Sequence, residues 1–395
     1  MLENLIKDEV WRKFLADKEE RSNFTKQELS ELKAFVDEKG YLSAVKSIPF
    51  SPPAKKQISK IETSKKRTVY CFPREQAYVL KLLANLLHAY DGIFAPNLFS
   101  FRKDFGVRRA ITSLLLQIKN RNLYCYKLDI SNYFNSVPVD LLLPKIKAVF
   151  SEKDQDMYGF FEALLVWKNE TAPEEHGVMA GTPTSAFLSN LFLSDLDRHF
   201  FDQKIPYARY SDDIIVFAET EAELTSHVNF ISDYLTKNRL KINEKKVQLV
   251  PPRTPFTYLG IEYDPAQNTI DLSPITVEKM KDKIRRKSHA LLRWKTKKNV
   301  PDDKALGVMI KVFNKKFFDP TGTNDLTWCN WYFPLLTTDK GLKEVDAYLQ
   351  DNLRFLVTAK HNKKNYEKVP YSRLKDAGYI SLVNRFYSPQ ATQGS

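Results

Sequence analysis

The feature that most constrains this chain is a pair of adjacent aspartates placed directly before an apolar stretch. In YARYSDDIIVF (207–217), Asp212 and Asp213 precede four large apolar residues, a pattern typical of a β-strand. A buried carboxylate needs a counter-charge, which a bound Mg²⁺ supplies through its preference for oxygen ligands. The pattern predicts a metal site at the tip of a β-hairpin or, since Asp is common in turns, an ordinary surface turn.

A second acidic residue follows another apolar stretch earlier in the chain. In CYKLDISNYFNSV (125–137), Asp129 ends a predicted strand just before a turn. Asp129 and Asp212 could meet on neighbouring strands and hold two Mg²⁺ ions roughly 3.5–4 Å apart, with Mn²⁺ as an alternative. Two such ions stabilise the attacking and leaving oxygens in phosphoryl transfer, so the acidic residues indicate that chemistry.

A glycine-containing turn before a helix is the third candidate site. GVMAGTPTSAFLSNLF (177–192) combines two glycines with a helix start rich in Ser and Thr. Glycine lets the backbone approach a flat ligand such as a nascent base pair. The same pattern is also that of an ordinary helix cap.

The composition favours a basic, multidomain protein with a nucleic-acid partner. The 395 residues are 43% hydrophobic, enough for two or three domains with cores, and the formal net charge is +13. The three cysteines, Cys71, Cys125 and Cys329, show no metal-binding spacing. No apolar run is long enough to cross a bilayer and the start lacks a signal-peptide core, so we expect a cytoplasmic location and no membrane partner.

The order of predicted elements indicates an α+β fold in which helices cover a small antiparallel sheet. Helical patterns occupy most of residues 1–55, and long basic helices are predicted from about 275 to 386. The elements expected between them are a strand near 122–134, one amphipathic helix over 184–201, a hairpin over 207–218, and short strands at 246–250 and 256–263.

The motifs occur in an order that resembles the palm of reverse transcriptases. LDISNYF, AGTPTSAFLSN, YSDD, LKINEKK (240–246) and FTYLGIEY (256–263) match the successive palm motifs. KKRTVYCFP and NLFSFRKDFGVRRAI (97–111) resemble the fingers motifs of the bacterial retroelement branch, which includes retrons and group II introns. The resemblance is strongest to stand-alone, defence-associated reverse transcriptases rather than to typical retron or intron enzymes.

This resemblance implies a right-hand polymerase with fingers, palm and an α-helical thumb. The expected domains are an N-terminal helical extension (1–55), fingers (56–121), palm (122–272) and basic thumb (273–395).

The resemblance also implies a catalytic centre. Asp129 and Asp212 would bind the metals, with Asp213 in support and the Ile130 carbonyl assisting. Phe134, five residues after Asp129, matches the steric gate that excludes a ribose 2′-hydroxyl, although the ring could equally be a core aromatic.

Further residues match the nucleotide-binding positions of the family. Lys66, Arg67 and Arg102 would contact the triphosphate, and Lys246 would lie near the leaving pyrophosphate. Their alternative is a solvated basic surface. Ala180 and Gly181 would face the nascent base pair, although Met179-Ala180-Gly181 replaces the usual Pro-Gln-Gly and lacks its glutamine.

Two segments near the end of the resemblance are expected to hold nucleic acid. FTYLG matches the primer grip and would use Tyr258, Leu259 and Gly260. The segment 275–299 carries ten Lys or Arg and two acidic residues, a composition suited to tracking phosphates or simply to a solvated helix. The residues expected on the nucleic acid there are Lys279, Lys283, Arg286 and Lys287.

The sequence therefore predicts an RNA-directed DNA polymerase that uses Mg²⁺ and deoxynucleoside triphosphates. It would copy a partner noncoding RNA into cDNA, in antiphage defence. The alternatives are a retron or group II intron-like enzyme with an RNA-binding maturase role, and a nontemplated or protein-primed DNA polymerase. The sequence predicts no particular oligomeric state.

Overall fold

The structure, a computed structural model, describes residues 1–20, 24–59, 66–167, 176–318 and 327–388. The chain forms two compact units, Met1–Pro252 and Arg253–Ser395. Each unit has its own hydrophobic core. The boundaries expected between fingers, palm and thumb stay predictions.

The first unit contains eleven α-helices among its described residues. They are α1 (Asp8–Glu20), α2 (Lys26–Asp37), α3 (Gly40–Lys46), α4 (Arg74–Leu86), α5 (Val107–Ile118), α6 (Tyr133–Ser136), α7 (Val139–Val149), α8 (Asp156–Leu165), α9 (Ser185–Phe192), α10 (Ser194–Asp202) and α11 (Glu221–Lys237). Three 3₁₀ turns cover Leu2–Ile6, Leu87–Ile93 and Glu244–Lys246.

The strands of the first unit form two antiparallel sheets. They are β1 (Ala54–Ser59), β2 (Lys66–Cys71), β3 (Tyr124–Asp129), β4 (Tyr207–Tyr210), β5 (Asp213–Ala218) and β6 (Gln248–Val250). β1 and β2 pair with each other, and the other four lie in the order β4-β5-β3-β6. The predicted α+β class, with helices packed on an antiparallel sheet, is confirmed.

Strand β5, in the middle of the four-stranded sheet, is apolar and buried on both faces. In β5, the five residues from Ile214 to Ala218 are all buried, because the strand pairs on both edges and α11 packs beside it. The predicted hairpin over 207–218 is confirmed as β4 and β5, which pair Tyr210 with Asp213. A short turn at Ser211 and Asp212 joins the two strands.

The prediction of one helix over 184–201 is wrong, because the helix is interrupted at Leu193, between α9 and α10. The φ of −100° at Leu193 lies outside the helical range. The Ser194 hydroxyl donates to the Leu191 carbonyl (2.8 Å). Asp197, in the first turn of α10, is completely buried against β4. The amphipathic pattern of the sequence continues across Leu193, so the pattern did not indicate that the helix is interrupted there.

The second unit combines a three-stranded antiparallel sheet with helices. The strands are β7 (Phe256–Tyr258), β8 (Ile261–Asp264) and β9 (Thr269–Leu272), in that order. The helices are α12 (Pro274–Lys298), α13 (Asp302–Phe317), α14 (Trp328–Trp331), α15 (Lys340–Thr358), α16 (Asn365–Lys368), α17 (Tyr371–Asp376) and α18 (Leu382–Tyr387). The predicted strand at 256–263 is therefore two strands of a hairpin, while the long basic helices are confirmed.

Helix α12 begins where the sequence supplies both a cap and a fixed φ. The Ser273 hydroxyl accepts from the Thr276 amide (3.2 Å), and Pro274 occupies the first helical position. Across the described residues of both units, no helix combines the length and apolarity needed to span a bilayer.

Candidate active site

The structure brings the three predicted aspartates together at one end of the four-stranded sheet. Asp129, the last residue of β3, pairs with Asp213, the first residue of β5. The Ile130 amide donates to the Asp212 carbonyl (3.1 Å), which fixes the turn against the end of β3. The side chains of Asp129 and Asp213 share one face of the sheet, because paired residues of neighbouring strands point the same way.

Asp129 already has two polar partners. The Lys246 ammonium lies 2.6 Å from Asp129 Oδ2, and the Asn243 side-chain amide donates to Oδ1 (3.1 Å). Asn243 also donates its backbone amide to the Asp129 carbonyl (2.8 Å). Lys246 lies in a 3₁₀ turn before β6, not in the strand expected from residue 246. Asn243 was missed from the sequence although it lies within LKINEKK.

The pKa values of the other two carboxylates show how costly their charges are. Burial raises the pKa of Asp212, and the negative charge of Asp129 raises it further. Burial also raises the pKa of Asp213 to about 6, even though the Lys127 ammonium opposes this shift from 3.6 Å away. Asp213 Oδ1 is buried and finds no hydrogen-bond partner among the described residues. The turn therefore concentrates negative charge that no protein cation fully neutralises.

These residues fit a divalent cation by the kind of donor they offer. Asp129 and Asp212 supply hard carboxylate oxygens, the Ile130 carbonyl could add a third, and the unpartnered oxygen of Asp213 indicates a missing positive charge. Within the described residues, no group of three or more acidic, His or Cys side chains is arranged as a ready metal site. The Lys246 ammonium occupies the position beside Asp129 Oδ2 that a cation would otherwise take.

Replacing Asp213 by Asn is expected to stabilise the metal-free protein at neutral pH by about 1–3 kcal/mol. The pKa of about 6 in the folded state exceeds the value of about 3.9 expected in an unfolded chain, so ionisation opposes folding. The protonated Asp213 carboxyl contributes fully to stability below about pH 4. This contribution is lost as the pH rises through 6 and the carboxyl ionises. Urea unfolding in Mg²⁺-free buffer measures the difference.

The matched control is Asp195→Asn, because Asp195 is 70% exposed and its ion pair with Lys145 lies at the surface. That variant should change the free energy of unfolding little at any pH. The stability gain of Asp213→Asn should vanish at about pH 4, where both the folded and unfolded carboxyl groups bind a proton. Equal stability of parent and Asp213→Asn at neutral pH would contradict the buried charge.

Phe134 lies on the short helix α6, directly after the acidic end of β3. Its half-buried ring packs edge-to-face on Phe101, with ring centres 6.0 Å apart. The Val178 amide donates to the Phe134 carbonyl (2.8 Å), and a side chain at Gly177 would collide with that carbonyl oxygen. The glycine turn therefore holds the backbone of Phe134, and the role of its ring as a steric gate stays a prediction.

Asn135 ties three predicted parts of the site together and was missed from the sequence. Its side-chain amide donates to the Thr68 carbonyl of β2 (3.1 Å), and its oxygen accepts from the Ala180 amide (2.8 Å). The Ala180 carbonyl in turn accepts from the Tyr70 amide (2.8 Å). Gly181 has φ +100°, and a side chain there would press on β2. In this structure, the backbone of Ala180 and Gly181 therefore packs against β2.

The basic residues predicted for the triphosphate have different surroundings. Lys66 and Arg67 are exposed at the start of β2. Arg102 donates to the carbonyls of Asp91, Leu98 and Ala95, and its guanidinium stacks 3.9 Å from the Phe105 ring centre. Its guanidinium therefore binds this loop in the structure, and the contact of Arg102 with a triphosphate stays a prediction.

The predicted primer-grip residues lie in the second unit, at the β7–β8 hairpin. Leu259 and Gly260 form its two-residue turn with φ +48° and +90°, and Tyr258 is buried. The Gly260 carbonyl accepts from the Thr276 hydroxyl (2.9 Å), and a side chain at Gly260 would meet the Tyr332 hydroxyl. The turn is therefore fixed to α12, and its contact with a primer stays a prediction.

The four basic residues predicted to contact nucleic acid lie on one stripe of α12. Lys279 and Arg286 are exposed, and Lys283 and Lys287 are half-buried. The apolar residues of the helix face the core of the second unit. The helix therefore separates a basic stripe from an apolar one.

A family model described as "Reverse transcriptase (RNA-dependent DNA polymerase)" matches residues 54–263, more than half of the chain. Retron Ec83 reverse transcriptase of Escherichia coli is 29% identical over 117 residues, covering 27% of this chain and 36% of that protein. The chain thus spans about a third of the length of this curated relative.

Two solved telomerase structures match the chain at low similarity. A C-terminally truncated apo telomerase from Candida tropicalis matches with TM-score 0.44 and 14% identity, over 57% of this chain and 56% of that chain. Candida albicans telomerase, in complex with a fragment of telomeric RNA, matches with TM-score 0.44 and 12% identity, over 91% and 67%. The matching family model spans both acidic strand ends, and the chain belongs to the reverse transcriptase family.

Proposed function

We propose that this protein is an RNA-directed DNA polymerase whose active site is the acidic end of the four-stranded sheet. The observation that carries the proposal is the pairing of Asp129 with the Asp212-Asp213 turn, inside the segment that matches the family. Carboxylates on rigid adjacent strands are what two-metal nucleotidyl transfer needs.

In this proposal the protein residues bind and orient the reactants. Two Mg²⁺ ions, when bound, would activate the primer 3′-hydroxyl and offset the charge of the triphosphate. Asp129 and Asp212 would bind the two ions, and the nearby carboxylate of Asp213 would add negative charge that favours their binding. Lys246, released from Asp129, would be placed to offset charge on the departing pyrophosphate.

Selection of the nucleotide would depend on Phe134 and on the β1–β2 hairpin. Phe134 lies close in sequence to Asp129 and is held by the glycine turn, so its ring would exclude a ribose 2′-hydroxyl. Asn135 links Phe134 to β2, which carries Lys66 and Arg67. These two cations would contact the triphosphate of a deoxynucleotide. Ala180 lacks the family's glutamine, so sugar selection would depend mainly on Phe134.

The partner in the cell is proposed to be a noncoding RNA that serves as template. The excess of 13 positive charges and the basic stripe of α12 support binding to a polyanion. Lys279, Lys283, Arg286, Lys287 and the hairpin turn Leu259-Gly260 would hold the template–product duplex. The cDNA would act in antiphage defence.

A retron-type reverse transcriptase is the second candidate, favoured by the similarity to retron Ec83 reverse transcriptase. Sequencing the RNA and DNA that copurify with the protein from cells distinguishes these proposals. We expect one enriched RNA and DNA complementary to part of it, and Asp212→Asn should retain the RNA but lose the DNA. DNA joined to its RNA template would favour the retron type.

The same sequencing can contradict the proposal. A homopolymer or random DNA would indicate nontemplated synthesis. Enriched RNA with no complementary DNA in the parent protein, and cellular function that survives Asp212→Asn, would indicate an RNA-binding maturase role instead.

A further inference from the structure

Ser211, the residue directly before Asp212, has an unfavourable backbone conformation. Its φ is +62°, in the left-handed region, and it is 7% exposed. That region costs a residue other than glycine roughly 1–2 kcal/mol, so the surrounding structure must hold it there. Such a conformation at a candidate catalytic turn indicates that the direction of the next side chain matters.

Both backbone polar groups of Ser211 are held by side chains from other parts of the first unit. Its amide donates to the Ser100 hydroxyl (2.8 Å), and its carbonyl accepts from Arg209 Nη1 (3.1 Å). Ser100 is completely buried and also bonds Asn190 through its hydroxyl (3.3 Å) and its carbonyl (2.8 Å). The turn is therefore anchored at two points in the interior.

Arg209 is itself fixed by a buried carboxylate. Its Nε lies 2.8 Å from Asp197 Oδ1 and its Nη2 lies 2.5 Å from Oδ2, and both side chains are completely buried. Nη2 also donates to the Asn190 carbonyl (3.2 Å), and Tyr207 donates its hydroxyl to Asp197 (3.0 Å). This bidentate geometry leaves Nη1 directed at Ser211, which a lysine could not reproduce.

A buried ion pair adds little stability compared with apolar residues of the same volume, so its presence calls for another role. Its hydrogen bond to Ser211 supplies one. We propose that Asp197, Arg209 and Ser100 are positioning residues that keep Ser211 left-handed and thereby direct the Asp212 carboxylate toward Asp129. The inference rests on the proposed polymerase function and adds the residues that prepare its metal site.

Ser100→Ala tests the proposal with the smallest change, because it removes one anchor and keeps the ion pair. In primer extension on an RNA template, we expect kcat to fall about tenfold, as loss of one positioning hydrogen bond implies. The Mg²⁺ concentration for half-maximal rate should rise several-fold, while KM for the deoxynucleotide stays unchanged. Ser189→Ala is the control, since Ser189 is equally buried and its hydroxyl bonds the nearby Ala186 carbonyl.

A second substitution distinguishes positioning from general loss of structure. Ser211→Gly removes the steric cost of the left-handed conformation, and it also removes the Ser211 side chain, which hydrogen-bonds the Asp212 carboxylate. Ser211→Gly alone is therefore the reference for the double variant. Adding Ser100→Ala to this reference should lower kcat by less than half as much, on a logarithmic scale, as it does in the parent protein, and should leave the Mg²⁺ dependence of the reference unchanged. Arg209→Lys keeps the positive charge but loses the guanidinium group that bonds Asp197 and Ser211 together. It should show the same Mg²⁺ shift as Ser100→Ala, and it provides the test if Ser100→Ala does not fold.

The outcomes separate this inference from the function on which it rests. No extension by the parent protein would contradict the polymerase function itself. Extension by the parent with unchanged kcat and Mg²⁺ dependence in Ser100→Ala would overturn the positioning role alone. An equal loss in Ser189→Ala, or a loss from Ser100→Ala that is as large in the Ser211→Gly background as in the parent, would overturn it too.

Discussion

Replacing Asp212 by Asn is expected to lower the rate of nucleotide addition at least about 1,000-fold, because a metal-binding carboxylate contributes several kcal/mol to the transition state. The amide has the same shape but carries no charge. Because burial and Asp129 already make the charge of Asp212 costly, the fold should not suffer from its removal. Single-turnover extension on an RNA template measures the chemical step.

Asp129→Asn should cause a loss of similar size, and Asp195→Asn should cause none. Metal binding gives an independent measurement. Mg²⁺ should raise the unfolding temperature of the parent but not of Asp212→Asn, because a ligand stabilises only the state that binds it. If Asp212→Asn keeps more than a tenth of the parental rate, Asp212 does not bind the metal.

Replacing Phe134 by Val is expected to admit ribonucleotides. The ring packs on Phe101 and its backbone is held by Val178, which restricts the movement of the ring that a 2′-hydroxyl would require. Valine leaves room for that hydroxyl. We expect the preference for deoxynucleotides, measured as the ratio of kcat/KM values, to fall roughly 10- to 100-fold, as expected for a steric selection of this kind.

Phe201→Val is a suitable control, because Phe201 is 44% exposed on α10, outside the candidate site. It should leave the deoxynucleotide preference unchanged. An unchanged preference in Phe134→Val, with normal deoxynucleotide incorporation, would show that Phe134 is only a core aromatic. The selection would then have to come from another residue near the glycine turn.

The sequence predicted the acidic centre well, because its determinants are local. Alternation and apolar runs defined the strands around Asp129 and the hairpin at Asp212, and the resemblance placed them side by side. Hairpin register follows from a short turn, so the position of Asp213 was also predictable.

The supporting residues could not be predicted in the same way, because their partners are distant in the sequence. Asn135 reaches β2, and Ser100 reaches the turn at Ser211. Arg102 resembled a triphosphate ligand by motif, yet its loop folds back so that three carbonyls surround its guanidinium. The composition and spacing of a sequence do not indicate which backbone carbonyls will accept hydrogen bonds from a guanidinium.

Primer extension by the purified chain on a defined, heteropolymeric RNA template tests the central claim most directly. We predict DNA products whose sequence is complementary to the template and whose synthesis requires Mg²⁺ and all four deoxynucleotides. The Asp212→Asn protein should make none. Products that form equally well without the template, or that do not match it, would contradict an RNA-directed DNA polymerase.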